Sequence, residues 1–110
     1  MDINSLKSQF SKYKKDLLDL NKYMYENPEL GYQEINSVNK ITKLIKKHTA
    51  DAKFKKFTDI PTAFTASINN KPRKENITIC IEYDALPNVG HACGHNLISS
   101  IGLGAFFICD

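Results

Sequence analysis

From Leu97 to Cys109 the sequence reads "LISSIGLGAFFIC", and no residue in that run carries a charge. A helix drawn through it has apolar side chains on nearly every side, so it has to be covered on nearly every side. Small Gly102, Gly104 and Ala105 leave room for another backbone to come close. Whatever else the chain builds must bury this helix, and a helix lying beneath a sheet is the expected solution.

Two amphipathic segments precede it. Leu6, Phe10, Tyr13, Leu17, Leu20 and Met24 recur at steps of three and four, which predicts one helix from about Asn4 to Tyr25. Asn4 or Ser5 is the expected N-cap, because either side chain can accept a free backbone N–H. Asn27-Pro28 ends the helix, since proline disfavours helical geometry in the residue before it. The stripe covers too few heptads for a coiled coil. A second helix is expected from about Gln33 to His48, with Ile35, Val38, Ile41, Leu44 and Ile45 inward. His48, beside Lys46 and Lys47 in the last turn, reads as a capping or surface residue.

The middle of the chain changes period. "ADAKFKKF", "TAFTASI" and "NITICIEYD" are short and rich in β-branched and aromatic residues, so each reads as a strand. "NNKPRKEN" between the last two is turn-forming and predicts an antiparallel hairpin. Ile77, Ile79 and Ile81 share one face of the last strand and Thr78, Cys80 and Glu82 the other, with Cys80 read as a small core residue. Helix, helix, three strands, helix is the start of an α/β layer fold. Three short strands cannot cover two long helices and a third apolar one, so residues 1–110 are expected to be the front part of a larger domain.

The net charge of +3 comes almost wholly from lysine, with Arg73 the only arginine. A nucleic-acid reader usually adds arginine forks for base edges and aromatic platforms for stacking. The lysine groups here are interspersed with acids and read as solvated faces, so no nucleic-acid partner is expected. Cys80, Cys93 and Cys109 cannot all pair within one chain. The N-terminus lacks the apolar core of a signal peptide and no run approaches a membrane span. A reducing cytoplasm is the expected compartment, with thiols free or ligating and no membrane partner.

"GHACGHN", Gly90 to Asn96, places three of the chain's six histidines and cysteines within five positions. If "HACGH" is extended, His91, Cys93 and His95 point to one side and can converge. Gly90 and Gly94 would let the backbone bend close to an ion. Thiolate and imidazole both suit zinc. Asp84 directly follows the last expected strand, at the edge where α/β sheets gather ligands. A cysteine nucleophile is the rival reading, but a histidine two residues away on a strand lies alongside the thiol and not towards it. Inert packing is the other. Spacing alone leaves metal binding and packing both open.

The longer string "EYDALPNVGHACGHNLI" closely resembles the signature of the amidohydrolase branch of the dinuclear-metal aminoacylase and carboxypeptidase family. That branch includes aminobenzoyl-glutamate hydrolase, whose side the "E-Y-D-A-L-P" form most resembles, and the hydrolases of indole-acetyl amino acids. "ENPELGYQE" is similar to the element between the family's first two helices, and "TAFTASI" to the strand that follows. The likeness runs through nearly all of the chain in the expected order. It implies the N-terminal part of a zinc-exopeptidase-like three-layer α/β/α domain with a mixed sheet, truncated, without the lid or dimerisation domain.

By the same resemblance, Cys93 and His95 match the first two metal ligands, and Asp84 matches the aspartate that supports the metal shell. His91 takes no ligand role; a loop-fixing one is implied. Glu82 stands where the branch often has aspartate, Asn96 where many members have aspartate, and Tyr25 where many have histidine. The cofactor implied is a divalent metal, zinc or manganese, with two ions in the complete family. The implied substrate is an N-acyl amino acid or small peptide, cleaved at its amide bond by a water whose pKa the metals lower. The family's catalytic glutamate and remaining ligands are expected beyond this chain, so the chain alone is expected to be inactive. A complementing C-terminal piece or a homodimer would complete it. The competing readings are a non-catalytic partner-binding module and a lysine-rich nucleic-acid binder with a structural zinc.

Overall fold

The computed structural model describes residues 2–68 and 75–109. Two helices stand where the apolar stripe predicts one: α1, Ile3–Phe10, and α2, Lys14–Glu26. The break follows from Ser11, whose hydroxyl donates to the Ser8 carbonyl at 2.6 Å. The next two amides, of Lys12 and Tyr13, reach back only three residues, to Gln9 and Phe10. A serine that bonds its own helix competes with the regular ladder and tightens the turn. The cap is Asp2, not Asn4 or Ser5: its Oδ1 accepts the Ser5 N–H at 2.7 Å. Leu17, Leu20 and Met24 keep the stripe buried beyond the break.

The corner before α3, Ile35–His48, is built by Glu29. Its Oε1 accepts from the Ser37 N–H at 2.6 Å and the Ser37 hydroxyl at 2.8 Å, and its Oε2 from the Asn36 N–H at 3.0 Å. A carboxylate seated there satisfies free amides of the first turn and meets the positive helix end. Val38, Ile41 and Ile45 are buried as their spacing predicts. Ile35 is not: the first helical position lies off the buried face and is 62% exposed. His48 is neither a cap nor a surface residue. Its Nε2 pairs with Asp16 Oδ2 at 2.7 Å, and its ring packs 4.9 Å from Tyr13 and 5.1 Å from Phe107. The apolar ring fills the core edge while its nitrogen meets the carboxylate.

Strand β1, Lys53–Lys56, pairs antiparallel with β2, Phe64–Ser67, with Lys53 opposite Ser67 and Lys56 opposite Phe64. The hairpin therefore joins the first two expected strands, not the last two. The expected turn "NNKPRKEN" lies mostly outside the described residues, since 69–74 are not among them. Residues 76–83 have no ladder partner among the described residues. They keep a two-residue alternation even so: Ile79, Ile81 and Tyr83 are half-buried while Thr78, Cys80 and Glu82 are exposed. Cys80 is thus on the solvent side, not in the core, because the inward positions belong to its isoleucine neighbours.

Helix α4, His95–Cys109, lies against α2 and also touches α1 and α3. Leu103 and Phe107 join Leu17, Leu20, Met24, Ile41 and Ile45 in the core. Gly102 receives segment 76–83: a Cβ there would fall well inside van der Waals contact of Ile81 Cγ2. The helix is not covered all round. Leu97, Ile98 and Ile101 remain exposed. The architecture is α/β, with helices packed on helices and one small antiparallel sheet. No described helix is long and apolar enough to cross a membrane.

Candidate functional site

Two short bridges hold the motif loops together. The Ala85 N–H donates to the Glu29 carbonyl at 2.7 Å, setting Leu30 beside Ala85, and the Leu86 N–H donates to the Gly90 carbonyl at 2.9 Å. The residue that caps α3 through its side chain therefore anchors the "DALP" segment through its backbone. Between Leu86 and Gly90 the chain reverses, with Asn88 and Gly90 in the left-handed region at φ 67° and 60°. Asparagine and glycine are the residues that adopt that geometry at least cost.

"HACGH" is a turn, not the extended segment its alternation allows. The Gly94 N–H donates to the His91 carbonyl at 3.1 Å, and Gly94 has φ 83°. Its carbonyl then accepts from both Leu97 and Ile98, which starts α4. Once the backbone turns at Gly94, residues two apart no longer share a side. His91 is buried, Cys93 is exposed, and His95 becomes the first residue of the helix.

His95 is held at both ring nitrogens. Its Nδ1 lies 2.8 Å from Asp84 Oδ1 and 3.0 Å from the Asp84 carbonyl, and its Nε2 lies 3.0 Å from Glu82 Oε2. The imidazole is mostly enclosed, whereas both carboxylates reach solvent, Glu82 more than Asp84. His91 sits nearby in an unusual state. It is 7% exposed, and neither ring nitrogen has a hydrogen-bond partner. Burial holds its pKa below the ordinary 6.5, the neighbouring His95 adds to that, and Asp84 opposes it. Of the expected residues, then, the structure joins Asp84 to His95. Cys93 stands apart in the turn, without a hydrogen bond or ion pair to the described residues. Among the described residues no three histidine, cysteine or carboxylate side chains are grouped to hold a metal.

Glu82 and Asp84 border an open hollow of about 350 Å³ whose other walls include Gly31, Glu34, Thr62 and Tyr83. Glu34 is a buried carboxylate, 7% exposed, that accepts the Gln33 N–H. Tyr83 donates to the Thr62 carbonyl, and burial together with the Glu34 charge pushes its pKa up to about 12.

No family model matches the chain. Individual proteins do. The Xaa-Arg dipeptidase of Homo sapiens is 33% identical over 96 residues, covering 78% of this chain and 22% of its own. N-acetyldiaminopimelate deacetylase of Oenococcus oeni is 27% identical over 80% of this chain and 27% of its own. Thermostable carboxypeptidase 2 of Saccharolobus solfataricus is 25% identical over 96% of this chain and 30% of its own. Three hydrolases with different names thus each match more than three quarters of the chain. The chain is similar to a dipeptidase, a deacetylase and a carboxypeptidase, all members of the aminoacylase and carboxypeptidase family whose signature its motif resembles. It spans between 22% and 30% of the length of these curated relatives.

Three acidic residues matter to the site in ways that the motif did not bring forward. Glu29 and Glu34 lie in "NPELGYQE", where the string is visible but the job of each carboxylate is not. Glu82, which stands where the branch often has aspartate, is two before Asp84 on the same side of an alternating segment. That spacing is what lets the two carboxylates take one nitrogen each of His95.

Proposed function

We propose that this chain supplies part of a divalent-metal centre in a hydrolase that cleaves the amide bond of N-acyl amino acids or small peptides. Cys93 and His95 are the ligands and Asp84 is the residue that orients His95. One observation carries the reading: the Nδ1 of His95 is tied to Asp84 at 2.8 Å. A metal-binding histidine typically gives its other ring N–H to a carboxylate, which fixes ring and tautomer. The names of the relatives agree in chemistry, since a dipeptidase, a deacetylase and a carboxypeptidase all break an amide C–N bond.

The donors fit zinc or manganese in kind: one thiol, one imidazole, and carboxylates beside them. The chemistry such an ion supplies is polarisation of the amide carbonyl and acidification of a water. The part played by this chain is to hold the His95 ring rigid at the start of α4, with a carboxylate at each ring nitrogen, and to present the Cys93 thiol on the turn two residues before it. Residues 1–110 are on this reading a portion of a three-layer catalytic domain with a mixed sheet, in which segment 76–83 gains strand partners. With fewer than three grouped donors among the described residues, the chain by itself is expected to hydrolyse no amide at a useful rate.

Metal content separates this from the alternatives. Purified chain is expected to retain a divalent ion after dialysis, Cys93→Ser and His95→Ala to lose it, and Asp84→Asn to bind about ten- to a hundredfold more weakly. Equal metal content in all four proteins would refute the reading. A second reading, a partner-binding module without catalysis, is favoured by the exposed Leu97, Ile98 and Ile101 and by the unpaired segment 76–83. It predicts the same partner affinity with and without chelator.

A further inference from the structure

We infer that the groove between α2 and α3 is the face on which a second copy of this chain docks, the acidic wall of each copy lying on the basic wall of the other. The groove has a volume of about 360 Å³. On its α2 side stand Asp16, Asp19, Leu20 and Tyr23, and on its α3 side Lys40, Lys43, Leu44 and Lys47. Each set follows the spacing i, i+3, i+4, i+7, which puts it on one helix face, and each has leucine in its third place. What differs is the sign of the charge: α2 brings only carboxylates and α3 only ammonium groups. None of these residues belongs to the motif, so the inference is independent of the metal reading.

Two contacts fix how the walls are matched. Lys47 Nζ lies 2.9 Å from Asp16 Oδ2, and Lys40 Nζ lies 4.6 Å from the centre of the Tyr23 ring. Residue 16 is therefore level with 47 and residue 23 with 40, so the two helices run antiparallel. Asp19 and Lys43 are left at the middle, level with each other on opposite lips. Both are exposed, and among the described residues neither side chain has an ion pair or hydrogen bond. The groove thus closes its own two ends and leaves its central charges open, above a floor of buried Leu20 and half-buried Leu44.

A second copy satisfies this arrangement by symmetry. A twofold axis laid along the groove keeps every residue at its own height and places α2 of one copy on α3 of the other. Asp19 then meets Lys43 of the second copy, and Lys43 meets Asp19 of the second copy, the two equal contacts that an isologous interface requires. A twofold axis across the groove would set acid on acid, and repulsion disfavours it. The centre of the face is apolar, made by the leucines and the lysine stems, and its rim is charged, as at other protein interfaces. An acidic partner would suit the α3 wall alone, whereas a second copy brings a counter-charge to both walls.

The test is sedimentation equilibrium of the full chain. The unaltered chain is expected to form dimers that weaken as salt is raised, since exposed charges are screened. Asp19→Lys and Lys43→Asp, each alone, set like charges opposite each other at both contacts and should lower the association constant at least about tenfold. An equimolar mixture of the two variants should associate again, because one copy then carries lysine at both positions and the other aspartate at both. The chain with both substitutions should recover as well. Recovery on mixing separates a lost contact from a damaged fold. An unaltered chain that stays monomeric up to about 1 mM would overturn the inference. So would a mixture that stays monomeric, or single variants that associate like the unaltered chain, which would place the contact on another face such as the exposed apolar side of α4. Metal content tests the proposed function separately and is untouched by any of these results.

Discussion

Replacing Glu29 tests whether one carboxylate organises both the α3 corner and the loop that carries Asp84. In Glu29→Ala three donors lose their acceptor: the Ser37 amide at 2.6 Å, the Ser37 hydroxyl at 2.8 Å and the Asn36 amide at 3.0 Å. The Asn36 amide is exposed and can turn to water, so its loss costs about 0.5 kcal/mol. Ser37 is fully buried, and leaving its amide and hydroxyl without a charged partner costs roughly 2 kcal/mol more. Loss of the favourable charge at the helix start adds about 0.5 kcal/mol. The total is about 3 kcal/mol, a large part of what holds a domain of this size together. With a urea m-value of about 1.5 kcal/mol per molar, the unfolding midpoint followed by far-UV circular dichroism should fall by about 2 M. Glu29→Gln keeps one acceptor and should recover about half of that. A midpoint shift below about 0.3 M for Glu29→Ala would show that α3 does not depend on this cap.

Two further perturbations probe the packing and the surface charge. Gly102→Ala should destabilise by about 1–2 kcal/mol despite alanine's better helix propensity, because the new methyl collides with the stiff, branched Ile81; a stabilised variant in the same urea titration would refute the packing. Asp16 is held below its ordinary pKa of 3.8, first by its hydrogen bond to Lys47 and then by that to His48. Its contribution is therefore present above pH 3.8 and lost as pH falls through the lower folded value. Asp16→Asn should flatten the acid limb of stability against pH while changing little of the remaining profile, and an unaltered acid limb would count against the pairing.

Much of this was legible beforehand, and the reasons differ by residue. The faces of α2 and α3 follow from apolar spacing, since burying Leu17, Leu20, Met24, Ile41 and Ile45 together removes the most surface from water, whereas the apolar run of α4 did not say which side would be left open. The break at Ser11 was not legible, because a hydroxyl's choice between solvent and its own helix leaves no trace in the apolar period. Cys80 was misplaced because strand alternation says which residues share a face but not which face looks inward. The family resemblance was legible from "DALP" followed by "HACGH", and relatives at 25–33% identity agree with it.

Sequence by itself determined the faces of α2 and α3, the backbone freedom at Gly90 and Gly94, and the residue types brought to the motif. These depend on local geometry: side-chain period, backbone freedom at glycine and the chemistry of each donor. Only the tertiary structure decided which donors meet. It joined His95 to Asp84 and Glu82, sent Cys93 outward and left His91 buried without a partner. A left-handed φ at one glycine rotates everything after it, so the convergence of three side chains is settled by where the next helix packs and not by their spacing along the chain.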